Sequence, residues 1–164
     1  MFINKLVKTA ILLVCSLGLS SAALAASEAA DFTLKSSTGD NLRLQELRGN
    51  IVLINFWASW CGPCRTELPY LDDLYLEFKD LGFTVLAVNI DEDSSKAAVL
   101  LNDMPVSFPV VYDPDGTVSK LYDVQAMPTT VFIDRNGYQR LLHPGYKSGD
   151  EVKYRKIVKA LIRE

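Results

Sequence analysis

The chain is poor in metal-ligating side chains: its 164 residues include three cysteines and a single histidine. A structural zinc site takes about four nitrogen or sulfur ligands, and outside Cys61 and Cys64 only Cys15 and His143 are left to supply them. A surplus of positive charge is also missing, with 17 Lys and Arg against 20 Asp and Glu for a net charge of -3. No basic stripe and no basic amphipathic helix points to nucleic acid or to a membrane surface. Apolar runs are short of the roughly 20 residues that cross a bilayer. Internal repeats and long polar linkers are lacking too, so the chain reads as one domain.

The N-terminus has a layout of its own. Met1 to Lys8 carries Lys5 and Lys8 and no acid, the apolar stretch Ile11 to Leu19 follows, and small residues lead to Ala23-Leu24-Ala25. This is the pattern of a secretory signal peptide over residues 1–25, cleaved after Ala25. An uncleaved membrane anchor fits less well, because Ser16, Gly18, Ser20 and Ser21 interrupt the apolar core. A lipid anchor on Cys15 is disfavoured by the bulk of Val14 and the short run before it. Cleavage would leave one domain over residues 26–164, large enough for a substantial core, and would leave Cys61 and Cys64 as its only thiols.

Those two cysteines stand in Trp60-Cys61-Gly62-Pro63-Cys64, directly after the apolar run Ile51-Val52-Leu53-Ile54-Asn55-Phe56-Trp57. The run predicts a buried central strand, and the residues after Cys64 predict a helix with Leu68, Leu71, Leu74, Tyr75 and Phe78 on one face and a kink at Pro69. A strand that delivers C-x-x-C to a first helical turn sets the leading sulfur among unpaired backbone N–H groups at the positive end of the helix dipole. Both effects favour thiolate over thiol. The implied chemistry is thiol-disulfide exchange, with Cys61 attacking and Cys64 resolving the mixed disulfide. A purely structural bridge is the weaker reading, since closing so short a loop stabilises by only about 2 kcal/mol.

The remaining pattern is that of an α/β domain. Residues 26–30 read as a disordered start. Asp31–Leu34 and Asn41–Leu44 alternate in polarity around Thr38-Gly39-Asp40 and predict a hairpin. Further strands are expected at 83–90, 108–112, 129–134 and 138–142, the last two joined through Arg135-Asn136-Gly137. Helices are expected at 94–102 and 117–122. Ser148-Gly149-Asp150-Glu151 has capping-box spacing ahead of a closing amphipathic helix. Asp91-Glu92-Asp93 reads as a solvated loop, His143 as a structural histidine, and Trp57 as packing.

The motif Asn55-Phe56-Trp57-Ala58-Ser59-Trp60-Cys61-Gly62-Pro63-Cys64-Arg65-Thr66-Glu67-Leu68-Pro69, with the distant Met127-Pro128-Thr129-Thr130, resembles the exported TlpA-like and ResA-like thiol-disulfide oxidoreductases of the thioredoxin superfamily. The resemblance runs from about Asp31 to the C-terminal helix. It implies a thioredoxin-like fold: a central mixed β-sheet flanked by helices, with an N-terminal β-hairpin and a central helix-strand insertion between Ile90 and Met127. It implies a redox-active Cys61–Cys64 disulfide, a cis Pro128 beside the pair, and a substrate surface from Trp60, Met127 and Pro128. Asn55 stands where cytoplasmic thioredoxins carry a buried aspartate, which leaves Glu67 as the carboxyl that could assist proton transfer at Cys64; a solvated helix-face carboxylate is its plainer role. No cofactor and no metal is implied.

The function expected from this resemblance is that of a periplasmic protein-disulfide reductase acting on exported proteins and supplied with electrons by a membrane thiol-reducing transporter. The membrane would then enter only through that donor or an uncleaved leader. A dedicated role in cytochrome c maturation is one version, weakened because Gln125-Ala126-Met127-Pro128 lacks a Gly-Val-Tyr-Gly-like sequence. A copper-handling carrier is the alternative from another class, weakened by the C-x-x-C spacing and by the remoteness of His143. Peroxidase chemistry is disfavoured because Ser59 and Trp60 stand where such enzymes place Pro and Thr before the reactive cysteine.

Overall fold

The computed structural model describes residues 27–164; the expected signal peptide, its cleavage point and Cys15 lie outside the described residues. Seven strands form one mixed sheet: β1 (Thr33–Ser36), β2 (Asn41–Arg43), β3 (Ile51–Trp57), β4 (Phe83–Asn89), β5 (Val110–Tyr112), β6 (Thr129–Ile133) and β7 (Gln139–Pro144), in the order β2-β1-β5-β4-β3-β6-β7. The central strands β3, β4 and β5 run parallel, while β6 and β7 on one side and β1 and β2 on the other are antiparallel. Four helices accompany the sheet: α1 (Gly62–Phe78), α2 (Ser94–Asp103), α3 (Thr117–Leu121) and α4 (Asp150–Ile162). The insertion expected between Ile90 and Met127 contains α2, β5 and α3.

Strand β3 organises the molecule because every one of its residues is buried. Successive side chains in a strand point to opposite faces, and the two apolar clusters divide accordingly. Ile51, Leu53 and Trp57 join α1, α4, Ala97 of α2 and both cysteines on one face. Val52, Ile54 and Phe56 join Val118 of α3, Phe32 and Leu44 on the other. Among the described residues, no helix is long and apolar enough to cross a membrane.

Local differences from the sequence reading have physical causes. Residues 27–29, expected to be disordered, run along the 137–139 turn: Ala29 N–H donates to Gly137 O and Gln139 N–H to Ser27 O. Backbone groups of an edge strand supply the order that side-chain composition does not. Ser148 does not cap α4; the cap is Gly149 at φ 104°, and Glu151 reaches back to the Gly149 N–H at 2.9 Å. Half of the capping box therefore forms, with glycine taking the left-handed position that serine would resist. Pro69 lies inside α1, where the sequence reading placed it.

Candidate active site

The strand-to-helix junction at the end of β3 carries the site. Cys61 is the N-cap of α1, with extended backbone, and its sulfur accepts from the Cys64 N–H at 3.2 Å. Pro63 falls in the first turn, where its missing N–H costs nothing. Cys61 and Cys64 are joined by a disulfide with their Cα atoms 5.3 Å apart. Cys61 keeps 5% of its surface in contact with solvent and Cys64 none, so a partner molecule reaches the bridge from the Cys61 side.

The residues predicted to accompany the pair occupy different settings. Trp60 is 66% exposed, a bare indole in the turn before Cys61. Met127 is half-buried and packs against the cluster that holds both cysteines. The Met127–Pro128 bond is cis. Since Asn55 pairs with Thr130 and Phe56 with Thr129, Pro128 comes level with Trp57, close to the junction. The Pro128 carbonyl accepts from Gly145 N–H at 2.6 Å. Trp57 is fully buried, as the packing role requires, though its indole N–H finds no acceptor among the described residues.

Glu67 is the residue whose plainer role does not survive. Rather than a solvated carboxylate, it is fully buried on the same face of α1 as Cys64 and one turn further along. Asn55 Nδ2 donates to its Oε2 at 2.8 Å, while Thr130 Oγ1 at 3.2 Å and the Tyr154 hydroxyl at 3.0 Å donate to Oε1. Burial pushes its pKa up to about 7; the bonds from Asn55, Tyr154 and Thr130 pull the other way, and the charge of Asp150 adds to the rise. A carboxyl that is half ionised near neutrality can take up or release a proton with little driving force in either direction.

A second set of residues was missed in the sequence. Asp91, read as part of a solvated loop, is buried and accepts from the Ser59 N–H at 2.9 Å, the Ser59 hydroxyl at 2.9 Å and Asn89 Nδ2 at 2.8 Å. Arg65 closes the other side, donating through Nε at 3.0 Å and Nη2 at 2.7 Å to the Ser59 carbonyl. Together they clamp the two-residue turn that leads into Cys61. The signal available was Asn89-x-Asp91 at the end of a central strand; nothing in it specifies Ser59, 32 residues earlier.

His143, read as a structural histidine, sits in β7, with Nε2 3.1 Å from Asp150 Oδ2 and Nδ1 3.3 Å from Lys153 Nζ. Among the described residues no group of three His, Cys, Asp or Glu side chains could hold a metal ion.

The model of the AhpC/TSA family matches residues 25–140. The chain belongs to that family. Among curated proteins it is similar to the thiol-disulfide oxidoreductase ResA of Oceanobacillus iheyensis, 40% identical over 66% of this chain and 59% of that protein. The chain thus spans less than two thirds of that relative's length. It is also similar to ResA of Bacillus subtilis, 35% identical over 75% of this chain and 78% of the relative. Among solved structures, a Chlorobium tepidum protein described as a thiol:disulfide interchange protein, DsbE, superposes with a TM-score of 0.81 at 38% identity, covering 84% of this chain and 96% of its own. The thioredoxin-like fold and the class of thiol-disulfide oxidoreductase stand on these likenesses together with the Cys61–Cys64 bridge.

Proposed function

We propose that the protein is a periplasmic reductase of disulfides in exported proteins, with Cys61 as nucleophile, Cys64 as resolving thiol and Glu67 as proton acceptor. The observation that carries this reading is the asymmetry of the bridge: one sulfur at a helix N-terminus with an open edge, the other sealed beside a buried carboxyl. In the reduced protein the Cys61 thiolate attacks a substrate disulfide, forms a mixed disulfide and releases one substrate thiolate. Cys64 then gives its proton to the Glu67 carboxylate and attacks Cys61 Sγ. The second substrate thiolate leaves, and the Cys61–Cys64 disulfide forms as two electrons pass to the substrate. Trp60, Met127 and the backbone around Pro128 form the substrate surface in this scheme, with the exposed indole and the soft thioether suited to varied peptides.

In an oxidising compartment the disulfide must be reduced again, so the proposal includes a membrane thiol-reducing transporter as electron donor. The Gly62-Pro63 dipeptide, shared with reducing thioredoxins, supports the reducing direction. Service to cytochrome c maturation is the narrower form of the same proposal. The copper-carrier alternative loses ground because both His143 ring nitrogens are already engaged, by Asp150 and Lys153.

A Cys64→Ser variant expressed in the native host tests the scheme. Exported proteins are expected to accumulate as mixed disulfides on Cys61 in the periplasmic fraction, released by a reductant, and their identities decide between general and cytochrome-specific service. Absence of any trapped protein, with Cys61→Ser indistinguishable from Cys64→Ser, would overturn it.

A further inference from the structure

Three donors converge on the Glu67 carboxyl, and one of them comes from the far end of the chain. Asn55 lies on β3 and Thr130 on β6, adjacent strands already committed to the site, and Asn55 Nδ2 also donates to Thr130 Oγ1 at 3.1 Å. That second bond occupies the hydroxyl's acceptor side and turns its hydrogen toward Glu67. The third donor, Tyr154, belongs to α4, 87 residues from Glu67. Its ring is almost fully buried and held edge-on by Phe132 and by His143, each with centroids 5.5 Å away.

We infer that Tyr154 is a positioning residue of the redox site: its hydroxyl fixes Glu67 Oε1 and sets how readily the carboxylate accepts the proton released by Cys64. This rests on the proton-acceptor role proposed for Glu67. With Oε1 taking hydrogens from both Thr130 and Tyr154, the incoming proton is directed to the remaining lone pair of Oε2. Each donor also favours the ionised carboxyl over the neutral one. Burial and the Glu67 charge push the phenol's own ionisation well above its usual range, so it remains a donor throughout.

The other ionisable groups around this carboxyl do not replace the phenol. Asp150 of α4 faces it as a like charge and is itself paired with His143 of β7. Tyr146, ahead of α4, feels the Glu67 charge, yet its hydroxyl goes to Glu151. Lys153 reaches His143. From α1 come the Cys61 and Cys64 thiols of the reduced protein.

The test is Tyr154→Phe in the full protein, which keeps the ring and deletes one hydrogen bond, alone and combined with Glu67→Gln. Two quantities are read: the Glu67 carboxyl titration by carbon NMR on labelled glutamate, and the pH dependence of mixed-disulfide resolution in single turnover. Loss of a donor to a charged acceptor should raise both midpoints by about one pH unit, slowing resolution about tenfold on the acidic limb. In the Glu67→Gln background, Tyr154→Phe should change the profile no further. An unmoved carboxyl titration and rate profile in Tyr154→Phe, alongside an altered rate profile in Glu67→Gln, overturns the inference and leaves the Glu67 reading intact. A rate profile unmoved by Glu67→Gln itself removes both.

Discussion

At the scale of single residues, Glu67 combines the most constraint with the most chemistry. Its position three residues after Cys64 is legible in the sequence, as is the asparagine that replaces the usual buried acid. Its burial had a signal in the helical pattern, since Glu67 stands four residues before Leu71 and seven before Leu74 on the buried face of α1; the hydrogen-bond donors that receive a carboxyl there had none, because Thr130 and Tyr154 come from β6 and α4. The upward shift to about 7 has a thermodynamic consequence. Between pH 4.5 and 7 the unfolded chain has lost this proton while the folded protein keeps it, so stability falls as pH rises through that window. The contribution is complete below pH 4.5, gone above 7, and worth about 3 kcal/mol. Glu67→Gln should remove that slope. Gln is accommodated because Asn55 Oδ1, buried and without a partner among the described residues, can turn to accept from the new amide. Urea denaturation of the oxidised protein between pH 4 and 8 measures this, and the variant should gain on the parent by about 3 kcal/mol across the range. A parallel pair of curves would place the Glu67 ionisation near that of an ordinary carboxyl.

Elements were largely legible where local periodicity decides them. The 33–43 hairpin, the central strands, α1 and the closing helix follow from alternation, apolar runs and turn residues. Two errors fall where a long-range hydrogen bond overrides composition, the ordered 27–29 segment and Asp91; the third, the partial capping box, is a local shift of the cap to the left-handed Gly149. Asp91 matters most, because Cys61 can serve as the N-cap of α1 only if the Ala58–Trp60 turn is held. Asp91→Ala leaves the Ser59 N–H, the Ser59 hydroxyl and Asn89 Nδ2 without their acceptor, and removing buried partners of this kind costs about 1–3 kcal/mol. A fall in the unfolding midpoint is expected, together with slower alkylation of Cys61 in the reduced protein as its sulfur leaves the helix N-terminus. Asp91→Asn retains one acceptor oxygen and should recover part of both. Normal alkylation in Asp91→Ala despite lost stability would show that the clamp braces the fold without setting the thiol.

On the scale of the whole molecule, the sheet separates two cores, and only one of them holds the cysteines and Tyr154, although Met127 packs against both. The alternation along β3 that sends Ile51, Leu53 and Trp57 to the α1–α4 face sends Asn55 there as well, delivering its amide to Glu67; Val52, Ile54 and Phe56 go to the opposite face. This division was implicit in the sequence as a period of two, but which face the helix would cover depends on the handed crossover from β3 through α1 to the parallel strand β4. Phe132 and Phe56 make a matched test, since both are fully buried, one in each core. Phe132 packs on Tyr154, whereas Phe56 packs on Tyr122. Phe132→Leu and Phe56→Leu should each cost about 1–3 kcal/mol through the cavity left behind. Only Phe132→Leu should also shift the pH profile of mixed-disulfide resolution, by loosening the ring whose hydroxyl holds Glu67, while Phe56→Leu should keep the parent profile at its lower stability. Equal shifts in both variants would mean that general loosening of the domain reaches the site, and that the two faces are not insulated by the sheet between them.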